Sequence, residues 1–403
     1  MKVMRRGVLF GWVLALACGP GDPPVSGGFE ERVIDGDIRH GQDLEAIDLD
    51  RDGDLDLVVA LSLTDAVHVY LNPGSLEEDW ERISISGAGT LVAVGVAVAD
   101  YDGDGDLDVA ATEAFGRKGG AGSAGRLMWF ENPGDVRGQW VTRPISDFVL
   151  GPTTLTAGDV DEDGRADLLV GGNAIMLPGA ELPQGGGLSW WKNEGGRFFG
   201  PFVIDGTIQD VGPIFLSDRD GDNRPDIVTT GRTSRELAVY RRTETATPTY
   251  AKYRVSGGLG AYSGLVLPPD EPGTLITAIA HTASTTIQRF VGLDLAGPFA
   301  RTVLAGGIGL GNEDRPNLAL GPFRAAGTTD LAISTSGRAG DLRLYLDDPG
   351  TADAYSQVDI RGGYQGIIGL LAVDLDADGK TDLVTTTYDF GTRDRLAFWR
   401  NLR

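Results

Sequence analysis

Nine-residue stretches with aspartate at positions 1, 3, 5 and 9 occur five times in this 403-residue chain. They are DLDRDGDLD with Asp48, Asp50, Asp52 and Asp56, DYDGDGDLD with Asp100, Asp102, Asp104 and Asp108, and DVDEDGRAD with Asp159, Asp161, Asp163 and Asp167. DRDGDNRPD follows with Asp218, Asp220, Asp222 and Asp226, and DLDADGKTD with Asp374, Asp376, Asp378 and Asp382. Carboxylates this close repel one another, and a hard cation bound through oxygen is the chemistry that relieves them. Position 6 must turn sharply, which suits Gly53, Gly105, Gly164 and Gly379; Asn223 replaces glycine in the fourth copy and is the next best residue at positive φ. Position 7, held by Asp54, Asp106, Arg165, Arg224 and Lys380, would add a backbone carbonyl. One such stretch alone reads as a surface turn; five at regular spacing read as calcium loops.

The first half of each stretch resembles an EF-hand loop, but no glutamate stands at position 12. The residues that follow (LVV, VAA, LLV, IVT, LVT) are apolar and β-rich. Each loop is therefore expected inside a β-hairpin. The loops start at 48, 100, 159, 218 and 374, so the last gap of 156 is three times 52 and hides two further copies. PPDEPGTLI (268–276) and PFRAAGTTD (322–330) are their remnants. The first keeps one acid, Asp270. The second keeps Asp330 and places Arg324 at position 3. Both are expected to have lost the metal, leaving five Ca²⁺ per chain.

Around each loop four strands recur: one before it, one after it, an aromatic strand such as VHVYLNPG, RLMWFENPG or RLAFWRN, and an aromatic-led strand such as WERISISG. Seven four-stranded units of this size form an all-β, seven-bladed β-propeller, with an open solenoid as the alternative. The chain opens on an aromatic-led strand (FEERVIDG) and ends on the third strand of unit seven. The N-terminal strand should therefore complete the last blade and remove an exposed edge.

Over residues 29–403 these loops and strands resemble the FG-GAP/VCBS repeats of integrin-type seven-bladed propellers, the bacterial secreted VCBS-type proteins being the closer match. That resemblance implies Ca²⁺ bound between the innermost and second strands of a blade.

Composition narrows the function. A formal charge of −23, with no basic stripe against it, excludes nucleic-acid partners. Residues 1–17 read as a signal peptide, with MKVMRR as the charged region and GVLFGWVLALA as the apolar one. The single cysteine, Cys18, follows at once and resembles the lipid-modified cysteine of a bacterial lipoprotein. Residues 18–28 then form a flexible tether. The expected protein is exported, as an outer-membrane or cell-surface lipoprotein or else secreted or periplasmic. It is expected to be a monomer that touches membrane only through its anchor and binds an extracellular glycan or protein.

On the face opposite the calcium loops, Arg39, His40, Asp43, Asp147, Gln209, Asp210, Tyr262, Asp314, Arg315 and Tyr364 are placed around the channel mouth as a ligand ring. The enzymatic alternative is a polysaccharide lyase acting on a uronic-acid glycan, with His40, Tyr262, Tyr364 and Arg39 supplying base and cation. His68 and His281 are the other histidines. No nucleophile elbow, zinc motif, phosphate loop or dinucleotide fingerprint is evident.

Overall fold

The computed structural model describes residues 26–403 except 63–65, 76–77, 87–91, 115–123, 174–186, 244–246, 259, 270, 272, 281–284, 293–298, 309–315, 325–327, 336–340, 348–354, 363–365 and 388–393. The leader, most of the tether and Cys18 lie outside the described residues.

Twenty-eight strands form seven antiparallel four-stranded sheets, a seven-bladed β-propeller. The innermost strands are Gly41–Ile47, Ala93–Ala99, Pro152–Gly158, Val211–Ser217, Ala261–Val266, Asn317–Gly321 and Ile367–Val373. Each touches the next, and the seventh returns to the first. The second strands are Asp56–Leu61, Asp108–Ala114, Asp167–Gly172, Asp226–Gly231, Thr274–Ala280, Asp330–Ser334 and Asp382–Thr387. They are buried almost throughout, because each has a neighbouring blade on both faces. Seven apolar cores result, one between each pair of adjacent blades, such as Val58, Val69 and Leu71 against Val109, Met128 and Phe130.

Third strands carry one aromatic residue at a fixed register. Tyr70, Phe130, Trp191, Tyr240, Phe290, Tyr345 and Trp399 pair with Leu57, Val109, Leu168, Ile227, Leu275, Leu331 and Leu383. This register corrects one expectation. In blade five the strand-opening position belongs to Thr274, not Ile276, because Leu275 is the residue opposite Phe290. The prolines and lone acid of that loop offered no landmark to set its length from sequence.

The ring closes where the chain ends meet. Phe29–Asp35 runs antiparallel to Leu396–Asn401 as the outermost strand of blade seven. Phe29 and Trp399 enter the core shared by blades six and seven, and Trp399 donates its indole N–H to Thr385 Oγ1 at 2.9 Å. Buried Glu31 on the N-terminal strand contacts Arg361, the last residue of the outermost strand of blade six, and Arg395 Nη1 lies 3.3 Å away. The closing strand thus joins both blades.

Removing residues 1–35 should leave Leu396–Asn401 as an uncovered edge, expected to self-associate in size-exclusion chromatography. Trp399→Ala, which removes the same core from the other side, should cost about 3–5 kcal/mol in denaturant titration.

Candidate metal centres and the opposite face

Each of the five aspartate stretches connects an innermost strand to the second strand of its blade. The carboxylates at positions 1, 3 and 9 converge: Asp48, Asp50 and Asp56; Asp100, Asp102 and Asp108; Asp159, Asp161 and Asp167; Asp218, Asp220 and Asp226; Asp374, Asp376 and Asp382. In each group the candidate ligand oxygens lie within 4.8 Å of one another. Two features of the backbone bring them together. The N–H at position 6 donates to the position-1 carboxylate, at 3.2 Å for Gly53, 3.0 Å for Gly105, 2.9 Å for Gly164, 2.8 Å for Asn223 and 2.9 Å for Gly379. Position 6 is left-handed in every loop, including Asn223 at φ 65°. Position 4 is left-handed as well, at Arg51, Gly103, Glu162, Gly221 and Ala377, which sequence reasoning had missed.

Position 5 stands slightly apart. Asp52, Asp104, Asp163, Asp222 and Asp378 accept the N–H of the position-7 residues Asp54, Asp106, Arg165, Arg224 and Lys380 at 2.9–3.1 Å.

Position 9 does structural duty beyond any metal. Asp56 accepts the N–H of Leu49 on Oδ2 (2.9 Å) and of Asn72 on Oδ1 (2.8 Å). Asp108, Asp167, Asp226 and Asp382 repeat this with Tyr101 and Asn132, Val160 and Asn193, Arg219 and Arg242, and Leu375 and Asn401. One buried carboxylate therefore ties the loop to the far end of the third strand. The asparagines then reach across to the previous blade. Asn72, Asn193 and Asn401 donate Nδ2–H to the carbonyls of Leu375 (3.2 Å), Tyr101 (2.8 Å) and Phe323 (2.9 Å), and Arg242 contacts Val160 O in the same way. These residues were missed from sequence, although the asparagine closing NPG, KNEG and WRN was a visible signal.

The geometry fits a divalent cation. Asp48 Oδ1 and Asp161 Oδ1 are buried and accept no hydrogen bond, leaving lone pairs unsatisfied at two of the clusters. Burial, with neighbouring carboxylates adding to it, raises Asp56 and Asp226 to about 6 and Asp108, Asp167 and Asp382 to about 7. Without a cation these groups hold protons that an exposed aspartate would lose.

Among the described residues, blades five and six show no such cluster. In blade six, Arg324 Nη2 lies 2.9 Å from Asp330 Oδ1 and also contacts Asp347 O, so a guanidinium stands beside the position-9 carboxylate; Asp347 N–H keeps its bond to Asp330 at 2.8 Å. In blade five, Arg219 from the preceding loop donates to the carbonyls of Glu271 and Thr274, each at 3.0 Å. Asp270, Pro272 and Gly327 lie outside the described residues.

The described members of the expected ring on the opposite face differ in burial. Tyr262 is buried in the core between blades four and five and donates its hydroxyl to Ser256 Oγ at 2.7 Å. His40 is buried too. Its N–H donates to Asp394 Oδ2 (2.8 Å), its carbonyl accepts Ser62 N–H (3.0 Å), and its ring contacts Ser62 and Gln42. Its φ of 70° matches the left-handed Gly151, Asp210 and Gly366, each also just before an innermost strand. A shared turn thus explains the position. Arg39 is exposed and pairs with Asp37 at 3.4 Å. Asp147 lies on the outermost strand of blade two, which runs on to Leu150, and so sits away from the mouth. Asp43 bridges instead to blade two, accepting Val96 N–H at 3.1 Å, and burial lifts it to about 6. Asp210 is buried and pairs with Arg232 at 3.5 Å. His68, on the third strand of blade one, is lowered to about 4 by burial. Tyr364, Asp314, Arg315 and His281 lie outside the described residues.

Position-9 aspartates raised above the unfolded value of about 3.9 contribute stability below that pH, and the contribution is lost as pH rises through about 6–7. Metal-stripped protein should therefore melt at higher temperature at pH 5 than at pH 8, measured by circular dichroism. Asp330→Ala should cost about 2–3 kcal/mol, because Asp347 N–H loses its acceptor and Arg324 its counter-charge. Its bound-metal count should not change.

Comparison with known proteins agrees with this architecture. A family model described as FG-GAP-like repeat matches residues 48–111. No curated protein matches the sequence. Among solved structures, a chain from the crystal structure of BBS1N in complex with ARL6DN is similar at 11% identity and a TM-score of 0.54, over 93% of this chain and 98% of that one. The NanB sialidase from Streptococcus pneumoniae, solved with 2-[(3-chlorobenzyl)ammonio]ethanesulfonate, has a TM-score of 0.47 at 11% identity, over 94% of this chain and 71% of that one. The first of these likenesses speaks for the fold alone. Residues 48–111 carry an FG-GAP-like repeat, set in the first two blades of a seven-bladed β-propeller.

Proposed function

We propose that this chain is a calcium-stabilised, exported propeller that acts as a binding or adhesion module for an extracellular glycan or protein. The observation that carries it is the fivefold recurrence of three converging carboxylates in one loop position, with buried lone pairs left unsatisfied. Oxygen-only donors in a short flexible loop favour Ca²⁺ over softer metals. When bound, the ion supplies the positive charge that lets these carboxylates ionise together. Positions 1, 3 and 9 would hold it, with position 5 and the position-7 carbonyl completing the shell.

The metal is structural in this reading, since its loops lie at the opposite end of the strands from the loops that lead into each innermost strand. Those leading loops sit on a rigid ring and vary most, which suits recognition. A lipid at Cys18 would hold the ring at a cell surface.

Extracellular calcium modules bind at about 10⁻⁴–10⁻³ M. Each occupied site then adds about 2.7 kcal/mol at a hundredfold excess of ion. Native mass spectrometry should count five Ca²⁺, and a chelator should lower the melting temperature by more than about 5 °C. An unchanged melt from metal-loaded protein would remove the metal assignment. Glycan and protein arrays probed with the loaded protein should show a ligand. Formation of an ultraviolet-absorbing double bond from a uronic-acid polysaccharide would instead establish lyase activity.

A further inference from the structure

The five loops are not electrostatically alike. In three of them the residue after the third-strand aromatic reaches the position-3 carboxylate, and its charge differs from blade to blade. In blade three, Lys192 Nζ contacts Asp161 and lies 2.8 Å from Asp163 Oδ2. In blade four, Arg241 contacts Asp220. In blade seven, Arg400 Nε lies 2.7 Å from Asp376 Oδ2, and its Nη2 lies 3.8 Å from Asp378 Oδ2. Blades one and two have Leu71 and Glu131 there, and Glu131 adds to the negative field at Asp102.

A second position separates the same two groups. Position 7 is basic in blades three, four and seven: Arg165 lies 2.6 Å, Arg224 3.8 Å and Lys380 3.7 Å from the position-5 carboxylate of its own loop. In blades one and two it is Asp54 and Asp106. Among the described residues, no basic side chain pairs with Asp102 or Asp104. Asp50 meets only Arg137, at 3.5 Å, and that guanidinium is half exposed and closer to Glu81 at 2.8 Å. Blade six extends the series, with the guanidinium of Arg324 inside the loop itself.

We infer that Lys192, Arg241 and Arg400 are affinity-setting residues that divide the five loops into two tight cation sites, in blades one and two, and three weak ones, in blades three, four and seven. The inference rests on the calcium reading above. A fixed positive charge on a ligand carboxylate repels a divalent ion and competes with it for the same oxygens. When the ion leaves, the ammonium or guanidinium neutralises the vacated carboxylates, so a weak blade keeps its shape without metal. In blades one and two the neighbouring guanidiniums among the described residues, Arg137 at Asp50 and Arg51 at 3.1 Å from Asp106, are more than half exposed, so the replacement is weaker there. Falling calcium would therefore empty blades three, four and seven first and leave the ring folded, a graded response in place of all-or-none loss.

The test is equilibrium dialysis of the full chain against graded Ca²⁺, with the bound ion counted by native mass spectrometry and the fold followed by circular dichroism. Two ions should remain at concentrations where three have left, the two classes differing by about tenfold or more. In the triple variant Lys192→Met, Arg241→Met, Arg400→Met the three weak sites should tighten toward the other two. Glu131→Lys should move one tight site into the weak class, giving one and four. If five ions bind with one affinity in wild type and in both variants, the inference is overturned while the calcium reading stands. If no ion binds at any concentration, the calcium reading itself fails. If Glu131→Lys does not fold, the triple variant alone decides, since it removes only partly exposed side chains.

Discussion

In six of the seven blades one buried carboxylate ties the second strand to the third. In six blades the first residue of the second strand is an aspartate that accepts an N–H from the far end of the third strand, and in five it also accepts one from the loop before it. The tie is made at the top of the blade, where the sheet would otherwise fray into three separate connections. It also places the carboxylate under the loop, so the same atom pair that stabilises the blade forms the floor of the candidate metal site. Fold and metal chemistry are therefore not separable here. The buried position demands a partner for its charge, and backbone N–H groups alone leave the group far above its ordinary pKa.

What replaces the ion where it is missing follows from the same demand. In blade six the guanidinium of Arg324 stands beside the position-9 carboxylate, 2.9 Å from Asp330 Oδ1. Blade five dispenses with the carboxylate altogether: Thr274 opens its second strand, and Arg219 from blade four stitches the loop through carbonyl oxygens. In blades one, three, four and seven the side chain that ends the third strand reaches the preceding loop through the residues named above, so neighbouring loops on this face are linked. The ring is closed independently by the N-terminal strand, whose Glu31 and Phe29 engage blade six while its backbone completes blade seven. Closure by strand pairing gives blade seven the same fourth strand that every other blade has and covers Leu396–Asn401.

On the opposite face two of the expected ligand residues are held by the fold itself. His40 and Tyr262 sit near innermost strands in sequence, but one caps a left-handed turn and the other fills an inter-blade core. Each already has hydrogen-bond partners within the chain. Both are explained by backbone and packing requirements that repeat around the ring.

The sequence by itself determined the number of blades, the loop that carries the carboxylates, and the closure by the first strand. Each of these is written in residues whose chemistry is local: acids at alternate positions, a glycine or asparagine that accepts positive φ, and an aromatic at a constant distance. Tertiary structure alone decided which carboxylates converge, since positions 1, 3 and 9 meet only when the hairpin folds back, while position 5 turns to its own backbone. It decided the register of blade five, which depends on Leu275 facing Phe290 across a strand pair. It also decided the pairing of Lys192, Arg241 and Arg400 with carboxylates roughly twenty to thirty residues away in sequence. Local backbone preference can be read along the chain, whereas contacts between strands and between blades exist only after the ring has closed.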